Sequence, residues 1–419
     1  MDVSERLLDP PSDGAAPASP GRAAAGPKRP KPRPVAFWLH NLFGLKLSLF
    51  LAFVCLTGTI ATVAHEIEWL YKPAVRASSF TPGTEDWAGM WAAAERAYPE
   101  ATLTGIGSYD RSHAAYFAKT ISARDSAGTD FNIYVDPGTG RVTGHEYGRS
   151  LQDAMRGLHY YLFVPRDVGF YLVSSLGFVL LGSLVTGLIV YKKFWRGFFR
   201  RPRLGRNLRT LMGDLHRLGG LWSIWFVAII ALTSIYYFFE WSGLDWNSKT
   251  PRLPETHFSA SASASDIARW TQMARAAKPG LAITALALPY EPGEPVIVQG
   301  HWQAALVRER ADAVFIDPVT HRIVGTRTAH RMGAGERIVH TVDPLHFGTF
   351  GGLATRLLWA VFGLVLTGLA ASGAFIYANR TRIAVGEAGA LAFLDYLGVL
   401  KWPSLAVITL VPGIAFLFW

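Results

Sequence analysis

Cysteine is almost absent from this 419-residue chain: the one present, Cys55, lies inside an apolar run. A single thiol excludes disulfides within the chain, cysteine-ligated iron–sulfur clusters and the CxxCH attachment of a c-type haem. Any redox cofactor must then be held by other residues. Charge is also sparse, at 17% Asp, Glu, Lys and Arg against 50% hydrophobic residues, so a single soluble core is a poor use of the sequence. No glycine-rich dinucleotide fingerprint follows a strand pattern, and no segment on the basic side of the chain is large enough to bind a nicotinamide or a flavin.

What the chain has instead is long apolar runs. A hydrocarbon core of about 30 Å takes about 20 apolar residues to cross. Residues 37–64, 170–191, 218–239 and 353–377 meet that length, and 403–419 is a shorter fifth candidate. The net charge of +10 is concentrated between these runs, because residues 192–217 carry nine Lys or Arg and one acid. The N-terminal tail adds Lys28, Arg29, Lys31 and Arg33. An excess of positive charge marks the cytoplasmic side of a membrane protein, which accounts for the basic balance without nucleic acid. Residues 66–168 and 240–352 are then predicted outside.

This reading divides the chain into a disordered cytoplasmic tail (1–34), spans at 35–65, 159–194, 215–240 and 345–380, and external modules at 66–158 and 241–344. A basic cytoplasmic loop occupies 195–214, and a fifth span is a candidate at 400–419. The tail is rich in Pro, Ala and Gly and lacks the apolar stretch of a signal peptide.

Comparison of the chain with itself shows that the first half recurs in the second with motif order kept. LHNLFGL from Leu39 recurs as LHRLGGL from Leu215, and YVDPGTGRVTG from Tyr134 as FIDPVTHRIVG from Phe315. GLHYYLF from Gly157 recurs as PLHFGTF from Pro344, and LVTG from Leu184 as VLTG from Val365. In the modules, 87–98 and 267–277 have helical spacing, while 131–135 and 313–316 are short apolar strands running into a DPxT turn. The predicted fold class is an α-helical polytopic membrane protein with a four-helix core, two α+β external modules and an internal two-fold repeat.

Twelve histidines are present, and four fall into a pattern. His40 and His216 open the first and third spans at the cytoplasmic side, whereas His159 and His346 precede the second and fourth at the outer side. Each half thus supplies one imidazole to each of two layers. A lone histidine at a membrane boundary is usually just an interfacial polar group. Two at matched depth on facing helices are what a b-type haem needs, since axial ligands and apolar packing are all that hold it. Gly44, Gly220, Gly348, Gly351 and Gly352 are candidates for close approach of a porphyrin face, and Phe43, Tyr160, Phe163, Phe347 and Phe350 for packing its edge. His65 and His340 are reserve ligands without a counterpart in the other half. Thr57, Thr186, Thr233 and Thr367 are predicted to bond carbonyls one turn back, and Glu66, Glu68 and Glu240 to be solvated helix-end groups.

The motifs LHNLFGL, TGTIATVAHEIEWLYKP from Thr57, DLHRLGGLW from Asp214 and DPLHFGTFGGL from Asp343 resemble the PepSY-associated transmembrane family over roughly residues 35–380. That family includes iron-regulated membrane proteins and ferric-siderophore reductases. The resemblance implies PepSY-type periplasmic modules on a bacterial inner-membrane bundle and, in reductase members, haem within the helices. On this reading two bis-histidine b haems, at His40 with His216 and at His159 with His346, pass electrons to a ferric siderophore, a reductase activity serving iron uptake. The donor is then a flavoprotein or membrane quinol, and the basic loop meets an acidic donor or anionic lipid. The rival expectation is a haem-free binding or sensory module that regulates envelope proteins.

Overall fold

A computed structural model describes residues 35–78, 80–108, 116–259 and 261–385, with isolated positions beyond; the side chains of Trp38, residues 43–46 and those from 377 to 385 are outside the description. The tail and nearly all of the fifth candidate span fall outside these residues.

The described residues open with three helices, α1 (Val35–Lys46), α2 (Ser48–Thr62) and α3 (Ala64–Tyr71). The first expected span is therefore divided. Leu47 interrupts it at φ −108°, ψ 6°, and α3 is bent 57° away from α2. A module follows, with α4 (Trp87–Ala97), β1 (Thr102–Gly107), β2 (Lys119–Arg124), β3 (Asp130–Val135) and β4 (Val142–Tyr147). The chain returns to the bundle through α5 (Leu151–Tyr160) and α6 (Arg166–Val190). The second half has α7 (Leu208–Trp222), α8 (Ile224–Trp241), α9 (Ala264–Ala277), β5 (Ala282–Ala287), β6 (Val296–His301), β7 (Asp312–Ile316), β8 (Ile323–Arg327), α10 (Ala334–Phe347) and α11 (Gly352–Val385).

Among the described residues, three helical stretches are long and apolar enough to cross a membrane: α6, α8 and Thr349–Ile376 at the head of α11. The bent pair α2 and α3 makes a fourth if it is one span. The four histidines lie not on these but on the shorter helices that adjoin them. Ser223 separates α7 from α8 at φ −95°, ψ 7°, much as Leu47 separates α1 from α2. The turn from α5 to α6 runs through Leu162 and Phe163 at positive φ and ends at Pro165, while Gly348 at φ +70° closes α10. The expected spans at 159–194, 215–240 and 345–380 are thus each a short helix, a break and a long apolar helix.

In the bundle α2 packs on α11 and α6 on α8, with α1 against α6 and α7 against α11. Small residues permit the approach: a Cβ on Gly177 would lie 2.8 Å from Ser234 Cβ and 2.9 Å from the Ala231 carbonyl. The four threonines behave as expected, since Thr57, Thr186, Thr233 and Thr367 each bond a carbonyl one turn back, at 3.1, 2.6, 2.7 and 2.9 Å.

The modules are more closely joined than their spacing in sequence suggests. Each forms a four-stranded antiparallel meander, and β1 pairs with β5, giving one eight-stranded sheet in the order β4-β3-β2-β1-β5-β6-β7-β8. The amphipathic helices α4 and α9 lie together on one face, where Trp87, Trp91 and Trp270 pack on Ile121, Ile133 and Val298. The DPxT turns form as expected. Asp136 accepts hydrogen bonds from the Gly138 amide and the Thr139 hydroxyl, and Asp317 from the Val319 and Thr320 amides. Burial would raise the Asp317 carboxyl, but these bonds and His257 hold it down to about 2.

At the seam Gly107 faces Ala285, and a Cβ there would lie 2.8 Å from the Ala285 methyl and 3.2 Å from the Thr284 carbonyl. Gly107→Val should destabilise the sheet by about 1–3 kcal/mol through this overlap, measured by thermal or denaturant unfolding of the purified protein. Unchanged stability would show that the two halves of the sheet are not held at this seam.

Candidate functional site

The site begins with four imidazoles and the atoms that orient them. His159, on α5, lies against α2, with its Nδ1 2.8 Å from the Val54 carbonyl. A carbonyl only accepts, so this nitrogen carries the proton and Nε2 carries the lone pair. His346, on α10, has its Nδ1 2.8 Å from the Thr233 hydroxyl, which itself donates to the Ile229 carbonyl and so is left to accept. His40 Nδ1 lies 3.1 Å from the Ser183 carbonyl and 3.2 Å from the Thr186 hydroxyl. His216 Nδ1 lies 2.9 Å from the Ser372 hydroxyl. Among the described residues, no side-chain hydrogen bond reaches Nε2 in any of the four. A metal-binding histidine shows this arrangement, with one ring nitrogen fixed by an acceptor and the other presented.

The structure brings His159 and His346 together, with ring centres 6.1 Å apart and planes at 42°. A ligating nitrogen sits about 2 Å from a transition metal and roughly 1 Å from its own ring centre, so imidazoles on opposite sides of one ion have centres roughly 6 Å apart. The observed spacing fits that requirement. Both rings line a cavity of about 290 Å³ together with apolar residues such as Leu51, Leu176, Phe226 and Leu366. That volume is near the lower end of small-molecule sites, roughly 300–1,000 Å³. Tyr237 meets the His346 ring edge-on at 5.2 Å and donates its hydroxyl to Asp343 at 2.7 Å. Asp343 also pairs with Arg308 of the second module at 2.6 Å, tying the ring's surroundings to the sheet.

Glycine is what lets the rings approach the helices, at positions other than those expected. A Cβ on Gly58 would stand 2.6 Å from His159 Cε1, on Gly187 3.3 Å from His40 Cε1, and on Gly373 3.4 Å from His216 Cε1. Of the expected glycines, Gly348 and Gly352 have positive φ and shape the turn between α10 and α11, Gly351 abuts Thr355, and Gly220 faces Leu369. Of the aromatics singled out in the sequence, Tyr160 and Phe347 line the cavity, whereas Phe163 packs on Gly157 and Phe350 on Trp359. Phe43 and Gly44 lie outside the described side chains.

His65 lines the same cavity, 3.7 Å from the Glu68 carboxylate. His340 is buried on α10, its Nδ1 without a hydrogen-bond partner among the described residues, and it does not border the cavity. The carboxylates expected to be solvated are engaged: Glu66 pairs with Arg356 at 3.2 Å, and buried Glu68 accepts the Leu151 amide at 2.8 Å. Glu240 accepts from Tyr236 at 3.3 Å. Among the described residues no group of three or more His, Cys, Asp or Glu is placed to hold a metal ion. The second role of Thr186 and Thr233, as acceptors for histidine, carries no signal in the sequence.

A family model for the PepSY-associated TM region matches residues 37–380, so the chain belongs to that family. A search of curated proteins finds no match.

Gly58→Ala should displace the His159 ring and cost about 1–3 kcal/mol of stability by thermal unfolding. It should also reproduce the consequences of His159→Ala for any ligand bound in the cavity. Behaviour identical to the native chain on both counts would show that ring placement does not depend on this glycine.

Proposed function

We propose that this member of the PepSY-associated TM family is a haem-containing electron-transfer protein of the bacterial inner membrane that reduces ferric siderophores in the periplasm. The observation that carries the reading is the outer pair: His159 and His346, 6.1 Å apart at a cavity, each held through Nδ1. His40 with His216 forms the inner pair, and the two halves of the chain are read as copies of one unit, each giving one ligand to each layer. Two b-type haems bound at these pairs would supply the one-electron chemistry that carries reducing equivalents across the membrane.

The chain's own residues do the rest. The carbonyl of Val54 and the hydroxyl of Thr233 orient the outer rings. Leu51, Leu176, Phe226 and Leu366 keep water from the cavity wall. The basic segment 192–217 favours cytoplasmic placement, where it would meet an acidic flavoprotein donor or anionic lipid around a quinol site, and that placement supports a periplasmic position for the eight-stranded sheet. Hard oxygen donors, typical of siderophores, hold Fe(III) far better than Fe(II), so one electron delivered to the chelate labilises its iron. No residue of the chain need act as acid or nucleophile.

The purified protein should show a dithionite-sensitive b-type spectrum, and the reduced protein should be reoxidised by a ferric siderophore with Fe(II) trapped by ferrozine. His159→Ala or His346→Ala should abolish rapid reoxidation, whereas His40→Ala should leave one rapid turnover. A colourless, folded protein from haem-replete cells would favour the haem-free sensory reading. Equal single-turnover rates in both classes of variant would rule out an outer-layer exit.

A further inference from the structure

The cavity between His159 and His346 has two chemically different ends. Polar residues gather at its end toward the sheet. On α5, which enters the bundle from the sheet, Gln152, Arg156 and His159 lie at i, i+4 and i+7 and share one face. On α11, Arg356 precedes Trp359, Gly363 and Leu366 along the cavity wall. From α2 into α3, Leu51, Val54 and Gly58 give way to Thr62 and then His65.

Two of the polar residues are cations. Arg356 is buried, at 2% exposure, and lies 3.2 Å from Glu66. Arg156 has no carboxylate within 4 Å among the described residues. Three residues before its histidine, where α5 has Arg156, α10 has Asp343, and that anion is already engaged by Arg308 and Tyr237. The charge left at this end of the cavity is therefore positive and sits on the α5 and α11 side. Close by, Gln152 Oε1 is buried without a hydrogen-bond partner among the described residues.

An apolar cavity ending in two guanidinium groups suits a flat apolar ligand with two carboxylates on one edge. Buried carboxylates need charged partners, and the planar fork of arginine matches them better than a lysine ammonium does. We propose that Arg156 and Arg356 bind the two propionates of the outer porphyrin, setting its acidic edge toward the sheet. This rests on the haem reading above and adds the ligand's orientation and two binding residues to it. Glu66 then acts as a positioning residue, holding Arg356 at the cavity.

The test titrates full-length apo-protein in detergent with haem and with haem dimethyl ester, whose carboxylates are blocked. A His216→Ala background confines the reading to the outer layer, and the readout is the absorbance of the bound, six-coordinate form. The native arginines should favour haem over the ester by about a hundred-fold, since each of the two charged hydrogen bonds lost costs roughly ten-fold. Arg156→Gln should cut that preference about ten-fold while leaving affinity for the ester unchanged. Arg356→Lys, which keeps the charge beside Glu66, should cut it less. Binding of both ligands without discrimination, or a preference untouched by Arg156→Gln, would overturn the inference and leave the haem reading standing. Uptake of neither ligand by the parent would overturn both.

Discussion

An imidazole placed among apolar side chains must have its nitrogens satisfied, and this constraint organises the bundle. Each of the four histidines meets it half-way, giving Nδ1 to a carbonyl or hydroxyl of a neighbouring helix. Three of the four histidines meet a helical hydroxyl that spends its own proton on a carbonyl one turn back: Thr186, Thr233 and Ser372. The helix thus presents a lone pair at a fixed place without losing a backbone bond. His159 uses the backbone directly, and this demands the closest approach, which is why Gly58 stands beneath it.

Placing these rings on short helices rather than on the spans has a structural consequence. The breaks at Leu47 and Ser223, and the turns before α6 and α11, let each histidine-bearing helix take its own angle to the bundle. That freedom is limited by the sheet. Because β1 pairs with β5, the two modules form one platform, and Arg308 of that platform grips Asp343 one turn from His346. A movement of the sheet would therefore be felt first at His346, through Asp343.

Much of this was legible in the sequence because it depends on local pattern. Apolar length marked the spans, 3.6-residue spacing marked α4 and α9, and the Asp-Pro pairs marked the turns after β3 and β7. The motifs around His40, His159, His216 and His346 singled out the residues that the fold presents in matching ways. What escaped was non-local. Nothing in the strand pattern says that β1 will pair with β5, since either edge could equally face solvent. Gly58 reads as a small residue in a span until its facing ring is known, and Thr233 reads as a self-satisfied hydroxyl until His346 is packed against it. The interruption at Leu47 carries no proline or glycine to announce it.

On the proposed function, the bundle holds two bis-histidine layers, each built by its own pair. Low-temperature electron paramagnetic resonance of the oxidised, purified protein tests it most directly. The account predicts two low-spin ferric haem signals, one lost in both His159→Ala and His346→Ala and the other in both His40→Ala and His216→Ala. A single signal, a high-spin signal in the native protein, or loss of one signal on changing His65 but not His159, would contradict it.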